Sequence, residues 1–153
     1  MFWVLTSGVK SLIVLKALIG IFLDANVLFT AAHNPKGKAA LVITLGHEGI
    51  FKLARITYAR EEVRRIIVRK FPEGLPDLTR LLGPIRILPD NLSLPFPEQL
   101  AEKDRSIYRA ALACGADVLL IGDLRDFGFL MNASELANGL LIQTVADFLA
   151  ATG

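Results

Sequence analysis

Residues 103–123 read KDRSIYRAALACGADVLLIGD, and the order of residue types in that stretch decides the fold class. An Ala-rich run reaching Cys114 has helical composition, starting at roughly Glu98 or Asp104. It stops at Gly115, a residue suited to the left-handed position after a helix. Val118–Ile121 (VLLI) follows without polar alternation, as in a strand covered on both faces. Gly122 and Asp123 end that strand, and Asp117 before it reads as a turn residue. A helix feeding an unalternated apolar strand is the repeating unit of a parallel α/β sheet.

Working outward, residues 17–23 (ALIGIFL) form a second such strand, ended by Asp24. Residues 25–32 read as a short helix, and Asn34-Pro35-Lys36-Gly37 as a turn. An apolar helix over about residues 39–45 is broken by Gly46 and Gly49, and residues 50–55 form another strand. Thr57 is placed as the N-cap of a helix reaching about Phe71 and stopped by Pro72. Residues 72–83 hold a short helix, residues 85–88 a third short strand, and Pro89, Pro95 and Pro97 mark a loop. Residues 140–142 form a last strand, and Thr144 caps a helix to about Ala150. The expectation is an α/β fold: one three-layer domain over residues 17–150, its central, mainly parallel sheet flanked by helices.

Composition agrees with a folded domain. A chain of 153 residues, 53% hydrophobic and 21% charged, can close one sizeable core and is no disordered tail. Seventeen basic against 15 acidic residues leave a net charge of +2, too little to demand a nucleic-acid partner by itself. The lone cysteine, Cys114, makes no internal disulfide, which fits a reducing cytosol. It reads as a structural thiol rather than a nucleophile. Residues 1–16 form an apolar extension interrupted by Lys10 and Lys16. No run of the about 20 apolar residues needed to cross a bilayer is left, so a cytoplasmic chain without membrane attachment is expected.

Two apolar strands are each followed at once by an aspartate, Asp24 and Asp123. Ligands of open α/β sheets bind beyond the carboxyl ends of the strands, where strand order reverses. If the two strands are neighbours, both aspartates share that crevice, and Asp104 faces it from the start of its helix. Glu62 closes the ring: at 100° per residue it flanks the apolar stripe of Ala59, Val63, Ile66 and Ile67, whereas Glu61 lies opposite. Two unit charges ~4 Å apart repel by about 4 kcal/mol at an effective dielectric of ~20. Such a cluster therefore takes up protons or binds a hard cation. Oxygen ligands without His or Cys suit one or two Mg²⁺ or Mn²⁺ ions, and phosphodiester hydrolysis is the reaction that fits. Each acid also has a plain structural reading: Asp24 as a cap or turn former, Asp104 as a helix cap, Glu62 as a solvated helix residue.

The joint pattern resembles the PIN-domain ribonucleases, from about Ile21 to Phe148. The matching pieces are LDANVL at residues 23–28, EEVRRI at 61–66, the stretch at 103–123, and DF at 126–127. LDANVL followed by Pro35-x-Gly37 is similar to the VapC-like branch, the toxin components of toxin–antitoxin pairs. The resemblance implies that Asp24, Glu62, Asp104 and Asp123 are the acidic, metal-binding and catalytic residues, with Asn26 orienting the site. Asp126 reads either as a peripheral acid or as the cap of a short helix. The resemblance also implies an RNA substrate, cytoplasmic action, a homodimer and a small antitoxin. This chain departs from the family in its long apolar lead and in Gly122, where Thr or Ser often stands.

The basic residues Arg55, Arg60, Arg64, Arg65, Arg69 and Lys70 concentrate along and before one helix; they read as a solvated face or, alternatively, as a phosphate-contacting flank in which Arg60, Arg64 and Arg65 meet the nucleic acid. His33 and His47 have no metal-ligand spacing. The alternative to a ribonuclease is a catalytically inactive PIN-like binding module. A phosphatase with an aspartate nucleophile is disfavoured, because its second Asp is replaced by Asn26.

Overall fold

The computed structural model describes residues 19–56, 93–122 and 127–152, together with 65, 68, 69, 73, 80, 83 and 85–88. The readings made for residues 1–18, for most of residues 57–84 and for residues 123–126 lie outside the described residues. Five strands are seen: β1 (Ile19–Leu23), β2 (Phe51–Ile56), β3 (Arg86–Leu88), β4 (Val118–Ile121) and β5 (Leu141–Thr144). Four described α-helices accompany them: α1 (Ala25–His33), α2 (Lys38–His47), α3 (Glu102–Ala113) and α4 (Val145–Thr152). The strands form one sheet in the order β3-β2-β1-β4-β5, and every described pairing is parallel.

That order has one reversal. The chain moves from β1 through β2 to β3, then returns across the sheet to β4 on the other side of β1. Right-handed crossovers therefore put α3 on the face opposite α1 and α2. α1, α3 and α4 all contact β4, which explains its unbroken apolar sequence: all four of its residues are buried. α2 packs against both α1 and α4, and Phe51 meets Phe148 edge to face at 5.2 Å, joining β2 to α4.

The turn from α3 into β4 follows from local chemistry. Gly115 adopts φ +71°, which only glycine reaches without cost. The Gly115 and Ala116 amides donate to Leu112 and Ala111, both at 3.1 Å, satisfying the last carbonyls of the helix. Asp117 then does more than turn the chain. Its amide donates to the Gly20 carbonyl at 2.9 Å, and its Oδ2 accepts from the Gly20 amide at 2.8 Å, clasping β4 to β1.

Most boundaries shift by a residue or two from the sequence expectation, and two of the shifts have a clear physical cause. Gly46 does not break α2, which continues to His47; a side chain at position 46 would collide with Leu53, so glycine there allows helix and strand to approach closely. The last strand extends to Thr144, whose Oγ1 accepts from the Asp147 amide at 3.1 Å. It thus ends β5 and caps α4, as expected. The open side of β5 is covered where the Asn132 amide donates to the Ile142 carbonyl at 2.9 Å, blunting an edge that would otherwise invite strand pairing.

Tyr108 of α3 is fully buried, and its hydroxyl accepts from Asn138 Nδ2 at 2.9 Å. Burial pushes the phenol above its usual range, with the Asn138 bond opposing that in part. A raised folded-state pKa stabilises the fold below the ordinary value near 10 and loses that contribution as pH rises through the folded value. Tyr108→Phe is expected to cost about 1 kcal/mol in urea unfolding at neutral pH. It should also lose less stability than the native chain between about pH 9 and 11.

Candidate metal centre

The reversal of strand order lies between β1 and β4, and their carboxyl ends form the crevice where α/β sheets bind ligands. The two strands are neighbours, with Leu23 level with Leu120. The ladder closes where the Asp24 amide donates to the Leu120 carbonyl at 3.0 Å. Asp24 therefore stands at the mouth of the crevice.

Asp24 is extended (φ −73°, ψ 155°) and is the N-cap of α1, its Oδ1 accepting from the Ala25 amide at 2.8 Å. The capping reading of this residue is thus correct. It is compatible with a ligand role, because a carboxylate carries two oxygens and up to four acceptor sites. Half-buried at the edge of the sheet, Asp24 is restrained by its own helix.

Asp104 is not the cap of α3; Ala101 holds that position and makes no side-chain capping bond. Asp104 sits in the first turn, where the helix dipole favours a negative charge. It is only 6% exposed. The spacing of Asp104, Ile107, Tyr108 and Ala111 puts all four on one helical face, and the other three belong to the core. An aspartate thus opens the buried stripe of α3. The opposite end of α3 meets β1 at the Asp117–Gly20 clasp, and a 12-residue helix spans about 18 Å. Its first turn accordingly lies at the carboxyl edge of the sheet, the edge that carries Asp24.

Asn26, in the first turn of α1, is exposed and packs against the backbone of Gly122, which directly follows β4. Glu62, Asp123, Asp126, Arg60 and Arg64 lie outside the described residues. Arg65 is helical and exposed. Among the described residues no three His, Cys, Asp or Glu side chains gather closely enough to hold a metal ion; the two described acids of the expected set are Asp24 and Asp104. Their oxygen donors fit a hard divalent cation better than zinc or copper. His33 stacks on Phe29, ring centroids 5.9 Å apart.

Arg55 needs correction. Sequence grouping put it on a solvated or phosphate-contacting flank, whereas it lies in β2, level with Leu23, and is 1% exposed. A guanidinium at that depth is tolerated only where charge or hydrogen bonds compensate it. It comes one register step before Asp24, at the carboxyl edge of the sheet. Its expected place in a strand is borne out by the run FKLARI; only the exposed reading is overturned.

No family model and no curated protein sequence matches the chain. Solved structures do. The structure of VapBC2 from Rickettsia felis bound to a DNA fragment from their promoter superposes with a TM-score of 0.58 at 13% identity, covering 82% of this chain and 98% of that one. VapBC-1 from nontypeable Haemophilus influenzae gives 0.51 at 14% identity, covering 84% and 99%. The five-stranded parallel sheet is therefore that of a VapC-like PIN-domain fold.

A cavity of about 430 Å³ opens at the amino edge of the sheet, opposite the edge that carries Asp24, with Gly20, Lys52, Arg86, Cys114 and Asp117 in its walls. Cys114 caps α3 and donates to the Ala111 carbonyl at 3.4 Å. Burial pushes its thiol up, opposed in part by the Ala116 backbone and by the charge of Arg86. Thiolate is the reactive form, so iodoacetamide at pH 8 should alkylate Cys114 more slowly in the native chain than in urea. Equal rates would contradict a structural thiol.

Proposed function

We propose that this chain is a Mg²⁺- or Mn²⁺-dependent endoribonuclease and the toxin component of a toxin–antitoxin pair. The observation that carries the reading is the delivery of Asp24 and the buried Asp104, from distant parts of the sequence, to the one sheet edge where strand order reverses. Asp24, Asp104 and Asp123 hold the ion, and Glu62 either joins them or orients the attacking water. When bound, the ion activates that water and stabilises the leaving oxygen of an in-line displacement. Arg65, exposed on its helix, contacts RNA phosphate together with Arg60 and Arg64.

The likeness to two VapBC structures supports a small antitoxin as partner. The chain acts in the cytoplasm as a homodimer; no helix among the described residues is long and apolar enough to cross a membrane.

Incubation with single-stranded and structured RNA should give cleavage that needs Mg²⁺ or Mn²⁺ and stops with EDTA. Asp24→Asn and Asp104→Asn should each lower the rate by about 100-fold or more, a loss of about 2.7 kcal/mol in transition-state stabilisation. Metal-dependent cleavage that survives Asp24→Asn combined with Asp123→Asn would sink the reading. Mn²⁺ at about 100 times its Kd should also stabilise the fold by about 2.7 kcal/mol. That gain is read as a rise in Tm, and it should shrink in Asp104→Asn.

A further inference from the structure

Gly122 is glycine for a reason that its backbone does not supply. It is absent from the glycines with positive φ, so an L-residue could adopt its conformation. Its side-chain volume is nevertheless taken. A Cβ at position 122 would lie 2.7 Å from Asn26 Cβ and 3.7 Å from both the carbonyl carbon and Cγ of Asn26, and these are its three nearest neighbours.

Asn26 Cβ is not a flexible tip that could swing aside. It belongs to the first turn of α1, which is anchored by the Asp24 amide on Leu120 and by the buried side chains of Ala25, Val27 and Leu28. Close-packed surroundings of this kind shift as units. A side chain at 122 must therefore displace the start of α1 from the end of β4. One side of that contact carries Asp24, and the other is followed in the chain by Asp123.

We propose that Gly122 is a positioning residue: its missing side chain lets Asn26 seat against the end of β4, and this sets how far Asp24 stands from the carboxyl end of that strand. The inference rests on the metal-binding reading above. It also gives a physical reason for the departure from Thr or Ser at this position, because a hydroxyl-bearing side chain has no room while Asn26 is seated.

Calorimetric titration with Mn²⁺ tests it on four chains: native, Gly122→Ala, Asn26→Gly and the double variant, with thermal unfolding of each. Gly122→Ala should weaken Mn²⁺ binding by about tenfold or more while the chain remains folded. In the Asn26→Gly background, where the colliding Cβ is gone, the same substitution should cost less than about twofold, the signature of direct coupling. Native-like affinity in Gly122→Ala, or the same loss in both backgrounds, overturns the inference. Tighter binding by Gly122→Ser than by the native chain overturns it too. If Gly122→Ala does not fold, the double variant decides: folding and binding like Asn26→Gly supports the proposal, and weaker binding or no folding overturns it. A native chain that binds no Mn²⁺ overturns the metal reading itself, and this inference with it.

Discussion

The parallel ladder between β1 and β4 is the constraint on which the other features depend. Ile21, Phe22 and Leu23 are level with Val118, Leu119 and Leu120, and all six are buried. The ladder is tied at both ends, by Asp117 on Gly20 and by the Asp24 amide on Leu120. A slip of one residue would turn every side chain to the opposite face and expose part of the core. Because register is held this firmly, the residues just past each strand, Asp24 and Gly122, have set positions.

α3 carries that precision to a third element. Its buried stripe seats Ile107, Tyr108 and Ala111 in the core, and the same stripe points Asp104 inward at the carboxyl edge. The loop before it is held by its own chemistry. Arg105 lies 4.3 Å and Arg109 5.5 Å from the Phe96 ring centroid, and Arg105 Nε donates to the Leu100 carbonyl at 2.9 Å. Cation–π contacts of this kind contribute about 0.5–2 kcal/mol each. They clamp the proline-bearing segment onto the first turns of α3, so the position of Asp104 does not depend on a loose loop.

The site therefore combines restraint with electrostatic cost. Asp104 is buried, Asp24 is half-buried and doubles as a cap, and Arg55 is enclosed in the neighbouring strand. Charges removed from water in this way are expensive unless other charges compensate them. A fold selected for stability alone has little reason to assemble them. A divalent cation would relieve the carboxylates further, and this is the physical connection between the architecture and the proposed chemistry.

Much of the fold was legible in local sequence. VLLI at 118–121, the stop at Gly115 and the cap at Thr144 depend on neighbours within a few residues, and the structure has them where composition and spacing put them. Asp24 and Asp104 were singled out in the same way, from a strand end and a helix start; Glu62 and Asp123 were inferred alongside them and lie outside the described residues. The features that sequence reading missed are those whose partners are distant in the chain. Gly46 looked like a helix breaker until Leu53 came to lie against it. Arg55 looked like a surface cation until the sheet enclosed it, and Asp117 looked like a turn residue until Gly20 proved to be its partner. The sequence by itself determined the described strands and α-helices, their order and the candidate acids, because periodicity, caps and breakers act over one or two turns of chain. Only the tertiary structure decided that β1 and β4 are neighbours, and therefore that a glycine at 122 makes room for Asn26, because that contact exists only once the sheet has closed.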